Sequence, residues 1–204
     1  MKYLHSLILV IVAFYATAFA PATGYKIGDE VADFSLKNVN GKMVSLADYK
    51  SAKGFIIIFT CNHCPYAKRY QERLNQFSKK YTAAGIQLLA ISATDPTIVP
   101  MDSYENMKLA AKQGSYKYPY LYDESQSVAR AFNAAKTPHA LVVFKTNGKW
   151  VLRYSGAIDD NGADVTKVKN HYLEDAVDAL LAGKPVANEV TKSVGCPIKW
   201  KSGR

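Results

Sequence analysis

The stretch Phe59-Thr60-Cys61-Asn62-His63-Cys64-Pro65 decides how the chain is read, because it sets two thiols three positions apart where an apolar strand gives way to a helix. Phe55 to Phe59 is a continuous apolar, β-rich run, and Tyr66, Tyr70, Leu74, Phe77 and Tyr81 then recur at helical spacing. The pattern predicts one helix to about Ala84, ended by Gly85, with the cysteine pair in its first turn. Positions i and i+3 of a helix share a face, close enough for a disulfide. The unpaired N–H groups and the dipole at that end stabilise a thiolate. Cys-X-X-Cys pairs bring a thiol from about 8.5 down to roughly 3.5 to 7.5, which makes the attacking species abundant at neutral pH. Pro65 suits a first turn, where its missing N–H costs nothing.

The flanking segments supply a frame for this motif. Asp33 to Leu36 and Met43 to Leu46 alternate around the turn signal Asn40-Gly41 and predict a hairpin. Ile86 to Ile91 reads as a strand buried on both faces, which completes a β-α-β unit. Asp102-Ser103-Tyr104-Glu105 resembles a capping box that opens a helix through Ala111. Tyr116, Tyr118, Tyr120 and Tyr122 share one face if that segment is extended, either packed as a strand or turned to a substrate. Ser125 to Phe132 reads as a short helix. Ala140 to Phe144 and Trp150 to Tyr154 form a second hairpin across Asn147-Gly148, and Val168 to Leu181 a terminal amphipathic helix stopped by Gly183.

Residues 1–22 read as a secretory signal peptide: Lys2, an apolar run from Leu7 to Phe19, and Ala20-Pro21-Ala22 before a cut at Thr23. The run is short for a membrane span, so no stable membrane insertion is expected after cleavage, and the location is periplasmic or secreted. Residues 23–190 then form one domain, and 191–204 a tail carrying Cys196. The net charge of +9 comes from scattered Lys and Arg, which favours a solvated basic surface over a nucleic-acid partner. Three cysteines in an exported chain suggest a functional pair and a third thiol that needs its own account. Cys196 could resolve or regulate the pair, ligate a metal, or be a small buried tail residue.

The order hairpin, β-α-β with CxxC, Thr137-Pro138, hairpin and helix resembles the thioredoxin superfamily, and the Asp33-Phe34-Ser35-Leu36 and Val44-Ser45-Leu46-Ala47-Asp48-Tyr49 segments resemble its redoxin, AhpC/TSA-like, branch. Tyr118-Pro119-Tyr120-Leu121, Asp123-Glu124-Ser125-Gln126, Gly156-Ala157-Ile158-Asp159-Asp160-Asn161 and the tail Gly195-Cys196-Pro197-Ile198-Lys199-Trp200 are similar to exported peroxiredoxin-like members with a CxxC motif. The resemblance implies an α/β thioredoxin-like fold, a central mixed sheet flanked by helices with an N-terminal β-hairpin extension. It implies a thiol-disulfide oxidoreductase without a dissociable cofactor, acting on protein dithiols or disulfides and recharged by an upstream redox partner. By position, Cys61 becomes the exposed attacking thiolate and Cys64 the resolving partner. Pro138 becomes a cis-proline facing them, Thr137 the residue whose backbone aligns an extended substrate, and His63 the group that stabilises the Cys61 thiolate.

The departures narrow this. Peroxiredoxins carry Pro and Thr seven and three positions before the peroxidatic Cys; counted from Cys64 those positions hold Ile57 and Cys61. A thiol peroxidase using Cys64 is therefore the alternative, not the first reading. No carboxylate lies in Gly54 to Thr60, where thioredoxin has one. A second alternative comes from the Sco-type copper proteins on the same fold, under which Cys61, Cys64 and His139 would take copper.

Overall fold

The computed structural model describes residues 24–202; the expected signal peptide lies outside them. Two sequence patterns build a three-layer α/β arrangement. The wholly buried strand β3 (Gly54–Phe59) sends alternate side chains to opposite faces, Phe55, Ile57 and Phe59 into one core and Ile56 and Ile58 into the other. Its neighbour β4 (Ile86–Ser92) divides likewise, with Leu89 and Ile91 on the first side and Ile86, Leu88 and Ala90 on the second. A strand apolar on both faces needs cover on both, which helices supply.

The N-terminal hairpin forms as β1 (Ser35–Asn38) and β2 (Met43–Ser45), with Gly41 at φ +85 in its turn. The remaining sheet strands are β5 (Tyr120–Tyr122), β7 (His139–Thr146) and β8 (Lys149–Gly156), and the seven-stranded order is β2-β1-β5-β4-β3-β7-β8. β3, β4 and β5 run parallel; β7 and β8 are antiparallel additions beside β3. Helices α2 (Gln71–Thr82) and α5 (Tyr172–Leu181) cover one face through Leu74, Phe77, Tyr81, Leu173, Val177 and Leu180. The other face is closed by α4 (Ser127–Ala131), Leu46 and Trp150. Among the described residues no helix is long and apolar enough to cross a membrane.

The structure corrects several boundaries for identifiable reasons. The single helix expected after the motif is two: α1 (Pro65–Lys68) and α2 meet at a tightened turn where the Tyr70 N–H reaches the Ala67 carbonyl at 3.1 Å. Tyr70 is buried there and donates its hydroxyl to Asp159 Oδ1 at 2.8 Å. The last helix begins at Tyr172 instead of Val168, because the Asp160 carboxylate holds the N–H groups of Lys169 and Asn170 in a loop. All four tyrosines from Tyr116 to Tyr122 join one core cluster, although only the last part is a strand; Tyr116 and Tyr118 stack at 4.9 Å.

The tail, for which no regular period was expected, adds a small second sheet. Its β9 (Cys196–Pro197) pairs antiparallel with β6 (Lys136–Thr137), setting Cys196 opposite Thr137.

Candidate active site

The chain reaches the motif at the C-terminal end of β3, where the Thr60 N–H still bonds Ile91 and the strand then stops. Cys61 and Cys64 do not occupy the first helical turn. Cys64 is the N-cap of α1 in an extended conformation, Pro65 is the first helical residue, and Cys61 lies in the loop before them. Facing the pair is the loop between α4 and β7, with a cis bond at Thr137–Pro138. Thr137 meets both thiols: its hydroxyl is 3.0 Å from Cys61 Sγ, and its carbonyl accepts from Cys64 Sγ at 3.2 Å.

The two thiols differ in the reverse of the expected sense. An exposed, low-pKa thiolate was expected at Cys61, yet Cys61 is only 3% exposed and burial pushes its thiol up to about 12, against the Thr137 hydroxyl and the Cys64 N–H that favour ionisation. Cys64 is also buried, which on its own would raise its pKa. The Cys196 thiol and the N–H groups of Ala67, Cys196 and Tyr66 outweigh that and hold it below the ordinary thiol range. The helix terminus therefore favours Cys64, which stands at its N-cap position. Cys61 lies one turn too early.

His63 does not enter the groups that shift Cys61. Its ring Nδ1 lies 2.5 Å from Asp102 Oδ2, while Asp102 Oδ1 accepts the N–H groups of Asn62 at 2.7 Å and His63 at 3.2 Å. A carboxylate oxygen only accepts, so His63 Nδ1 carries the proton and Nε2 is the nitrogen left for other chemistry. The Asp102 side chain is fully buried. It was expected to help cap a helix; the neighbouring Ser103 does that for α3 (Tyr104–Gln113), accepting the Asn106 N–H, and Asp102 turns to the motif instead. Asn62 is fixed from two further sides, donating to the Met101 carbonyl and accepting from the buried Tyr120 hydroxyl at 2.9 Å. Asp102 is thus a site residue that sequence reasoning missed, and Tyr120, read only as one of a face of tyrosines, reaches the motif through Asn62.

Ligand atoms of Cys61, His63 and Asp102 all lie within 4.8 Å of one another, a sulfur, nitrogen and oxygen set that a metal could use. The expected copper set, Cys61, Cys64 and His139, shares only Cys61 with it. His139 is buried with its Nε2 2.9 Å from Ser155 Oγ, and burial lowers its pKa to about 4. Thr137 likewise departs from its expected part: its backbone edge, foreseen as the place for an extended substrate, is taken by the chain's own Cys196. Arg130 lies over the Trp200 ring at 4.5 Å. A cavity of about 470 Å³ opens beside Pro138, lined among others by Tyr66, Arg69, Asp159, Lys192 and Val194.

Two thiols at a strand end, faced by a cis-prolyl loop and joined by a helix N-terminus, are an arrangement for sulfur exchange. The AhpC/TSA family matches residues 27–162. The chain belongs to the AhpC/TSA family. It is a redoxin of the thioredoxin superfamily, and its fold is thioredoxin-like. The exposed lipoprotein thioredoxin of Streptococcus pneumoniae strain TIGR4 superposes with a TM-score of 0.56 over 74% of this chain and 99% of that one, at 20% identity. An uncharacterised conserved protein from Geobacillus kaustophilus is more similar, with a TM-score of 0.80, 38% identity, and coverage of 88% of this chain and 94% of its own. The thiol-disulfide oxidoreductase ResA of Geobacillus thermodenitrificans is 25% identical over 135 residues, 66% of this chain and 72% of that protein.

Proposed function

We propose that this redoxin is an exported thiol-disulfide oxidoreductase working by dithiol-disulfide exchange through Cys61 and Cys64. The chain is an oxidoreductase, and thiol-disulfide oxidoreduction is its class, in line with the ResA enzymes it resembles. The observation that carries the choice of residues is the placement of both thiols on Thr137, beside the cis bond to Pro138. Export rests on the leader-like pattern of residues 1–22. Protein thiols or disulfides are the substrates, and the cavity beside Pro138 offers them room.

In the reducing direction, Cys61 Sγ gives up its proton and attacks one substrate sulfur, and the other substrate sulfur leaves with the bonding electrons. Cys64, already biased towards thiolate, attacks Cys61 Sγ of the mixed disulfide and releases the first substrate sulfur. The substrate gains two electrons and two protons, and the pair becomes a disulfide. A Cys61 thiol near 12 needs a proton acceptor as it attacks. His63, whose ring Asp102 holds beside Cys61 with Nε2 left free to accept, is the group placed to serve. The oxidising direction is the same sequence reversed.

The test is insulin reduction and oxidation of reduced RNase by the Cys61→Ser protein. Loss of both supports the assignment, and wild-type rates would overturn it. A second reading, peroxide reduction at Cys64, has the lowered Cys64 thiol in its favour. Against it stand the full burial of that sulfur and the absence of the orienting Thr. Peroxide consumption by the reduced protein no faster than by free cysteine removes it.

A further inference from the structure

The segment after Val194 is anchored at several points. Gly195 lies so close to the cis-prolyl loop that a Cβ there would stand 2.0 Å from the Thr137 carbonyl oxygen. Cys196 pairs with Thr137 across β6 and β9, the Ile198 N–H bonds the Ala135 carbonyl at 2.9 Å, and Ile198 itself is in the core at 3% exposure. The Lys199 carbonyl accepts from the Asp95 N–H and from the Gln126 side chain, whose Oε1 accepts the Lys201 N–H. Trp200 lies under Arg130. These contacts pack Cys196 against the cluster of Cys61, Cys64 and Ala67. Of the three cysteines it is the accessible one, half-buried where the motif pair is buried.

We propose that Cys196 is a third redox thiol of this site, and that Cys64 alternates between a disulfide with Cys61 and a disulfide with Cys196. The proposal rests on the exchange reading above and extends it. Starting from the Cys61–Cys64 disulfide, Cys196 loses its proton and its thiolate attacks Cys64 Sγ. The old S–S bond breaks, and its electron pair goes to Cys61 Sγ, which takes up the proton that Cys196 released. One disulfide is consumed and one formed, so no external oxidant is needed. The oxidising equivalent has moved from a buried sulfur to an accessible one. A partner thiolate then attacks Cys196 Sγ, and Cys64 leaves as the thiolate, with the backbone N–H groups of Ala67, Cys196 and Tyr66 to favour it. The partner's second thiol attacks the mixed disulfide and releases Cys196 as a thiol. The partner ends oxidised by two electrons, and the site ends reduced. Cys196 also stands on the Thr137 edge that an extended substrate would use, so the tail acts as a built-in substrate strand.

The test uses the full chain with Cys61→Ser, leaving two of the three cysteines. The native protein is treated with diamide, an azo oxidant that takes up the two electrons and two protons of a dithiol. Remaining thiols are alkylated and the digest is mapped. The expected result is a peptide pair joined by Cys64–Cys196 within one chain, with free thiols falling from two to none. Two alkylated thiols, or links only between chains, overturn the proposal. The Cys196→Ser protein treated alike should give Cys61–Cys64, which shows that oxidation and fold are intact. Wild-type protein equilibrated in a glutathione redox buffer and quenched with acid gives an independent reading that needs no variant: both linkages support the proposal, and Cys61–Cys64 alone overturns it. If Cys61→Ser still reduces insulin at the wild-type rate, the function proposed above fails while the mapped Cys64–Cys196 link stands. If Cys196→Ser forms Cys61–Cys64 and Cys61→Ser forms nothing, the third thiol fails and the pair stands.

Discussion

Substitution of Asp102 separates the work of its two oxygens. Oδ1 accepts the N–H groups of Asn62 at 2.7 Å and His63 at 3.2 Å, and Oδ2 faces His63 Nδ1 at 2.5 Å. Asp102→Ala leaves the buried Asn62 N–H and the partly buried His63 N–H without an acceptor. At about 1–3 kcal/mol for each unsatisfied buried donor, with water able to reach the His63 side, the loss comes to about 3 kcal/mol. That corresponds to a fall in Tm of roughly 6–12 °C for a chain of this size. Asp102→Asn keeps an oxygen at Oδ1, so both backbone bonds survive and the cost drops to about 1 kcal/mol. It sets an amide NH₂ against Nδ1, however, which then has to accept, and the ring proton moves to Nε2. With the acceptor nitrogen lost, exchange through Cys61 should slow by about 100-fold, the lower end of what a positioned proton transfer contributes. Removal of the Asp102 charge also eases the Cys61 thiol downward, an opposing effect that stays secondary because burial is the largest cause of the rise to about 12. The assays are thermal unfolding under reductant and single-turnover exchange with a protein disulfide. Equal destabilisation by Asn and Ala, or wild-type exchange by the Asn variant, would refute the reasoning.

Three further outcomes follow from the same contacts. His139 is held near 4 by burial, while an exposed histidine titrates near 6.5, so the unfolded chain binds the extra proton between those values. Stability is therefore full above pH 6.5 and falls by up to about 3 kcal/mol as pH drops from 6.5 through 4; His139→Asn should flatten that window in urea titrations. Gly195→Ala forces a Cβ to 2.0 Å from the Thr137 oxygen, a backbone clash that no rotamer relieves. It should cost about 2–4 kcal/mol and make Cys196 alkylate faster in the native protein, and an unchanged alkylation rate would count against the packing of Gly195 on the prolyl loop. Tyr120→Phe strips Asn62 Oδ1 of its buried donor and should lower stability by about 1–2 kcal/mol in chemical denaturation.

Much of the fold was legible because it rests on periodicity and local turn chemistry. The double-sided apolarity of Phe55 to Phe59 and Ile86 to Ile91, the glycines at 41 and 85, and Asn147-Gly148 each act within a few residues of themselves. They give the hairpins, the β-α-β unit and the place of Cys61 and Cys64 at a strand end. The break at Tyr70 was not legible, since it depends on Asp159, 89 positions away.

The chain's own sequence determined that two thiols stand three apart between a buried strand and a helix, and that a Thr-Pro precedes another strand. Which thiol is stabilised was decided only in three dimensions. The helix begins at Pro65, so its free N–H groups reach Cys64 and leave Cys61 to burial. Asp102 comes to His63 across 39 positions, and Cys196 to Thr137 across 59, by the closing of the sheet and the return of the tail. Proton affinities depend on distances of a few ångströms between groups far apart in sequence. A one-dimensional pattern does not carry those distances.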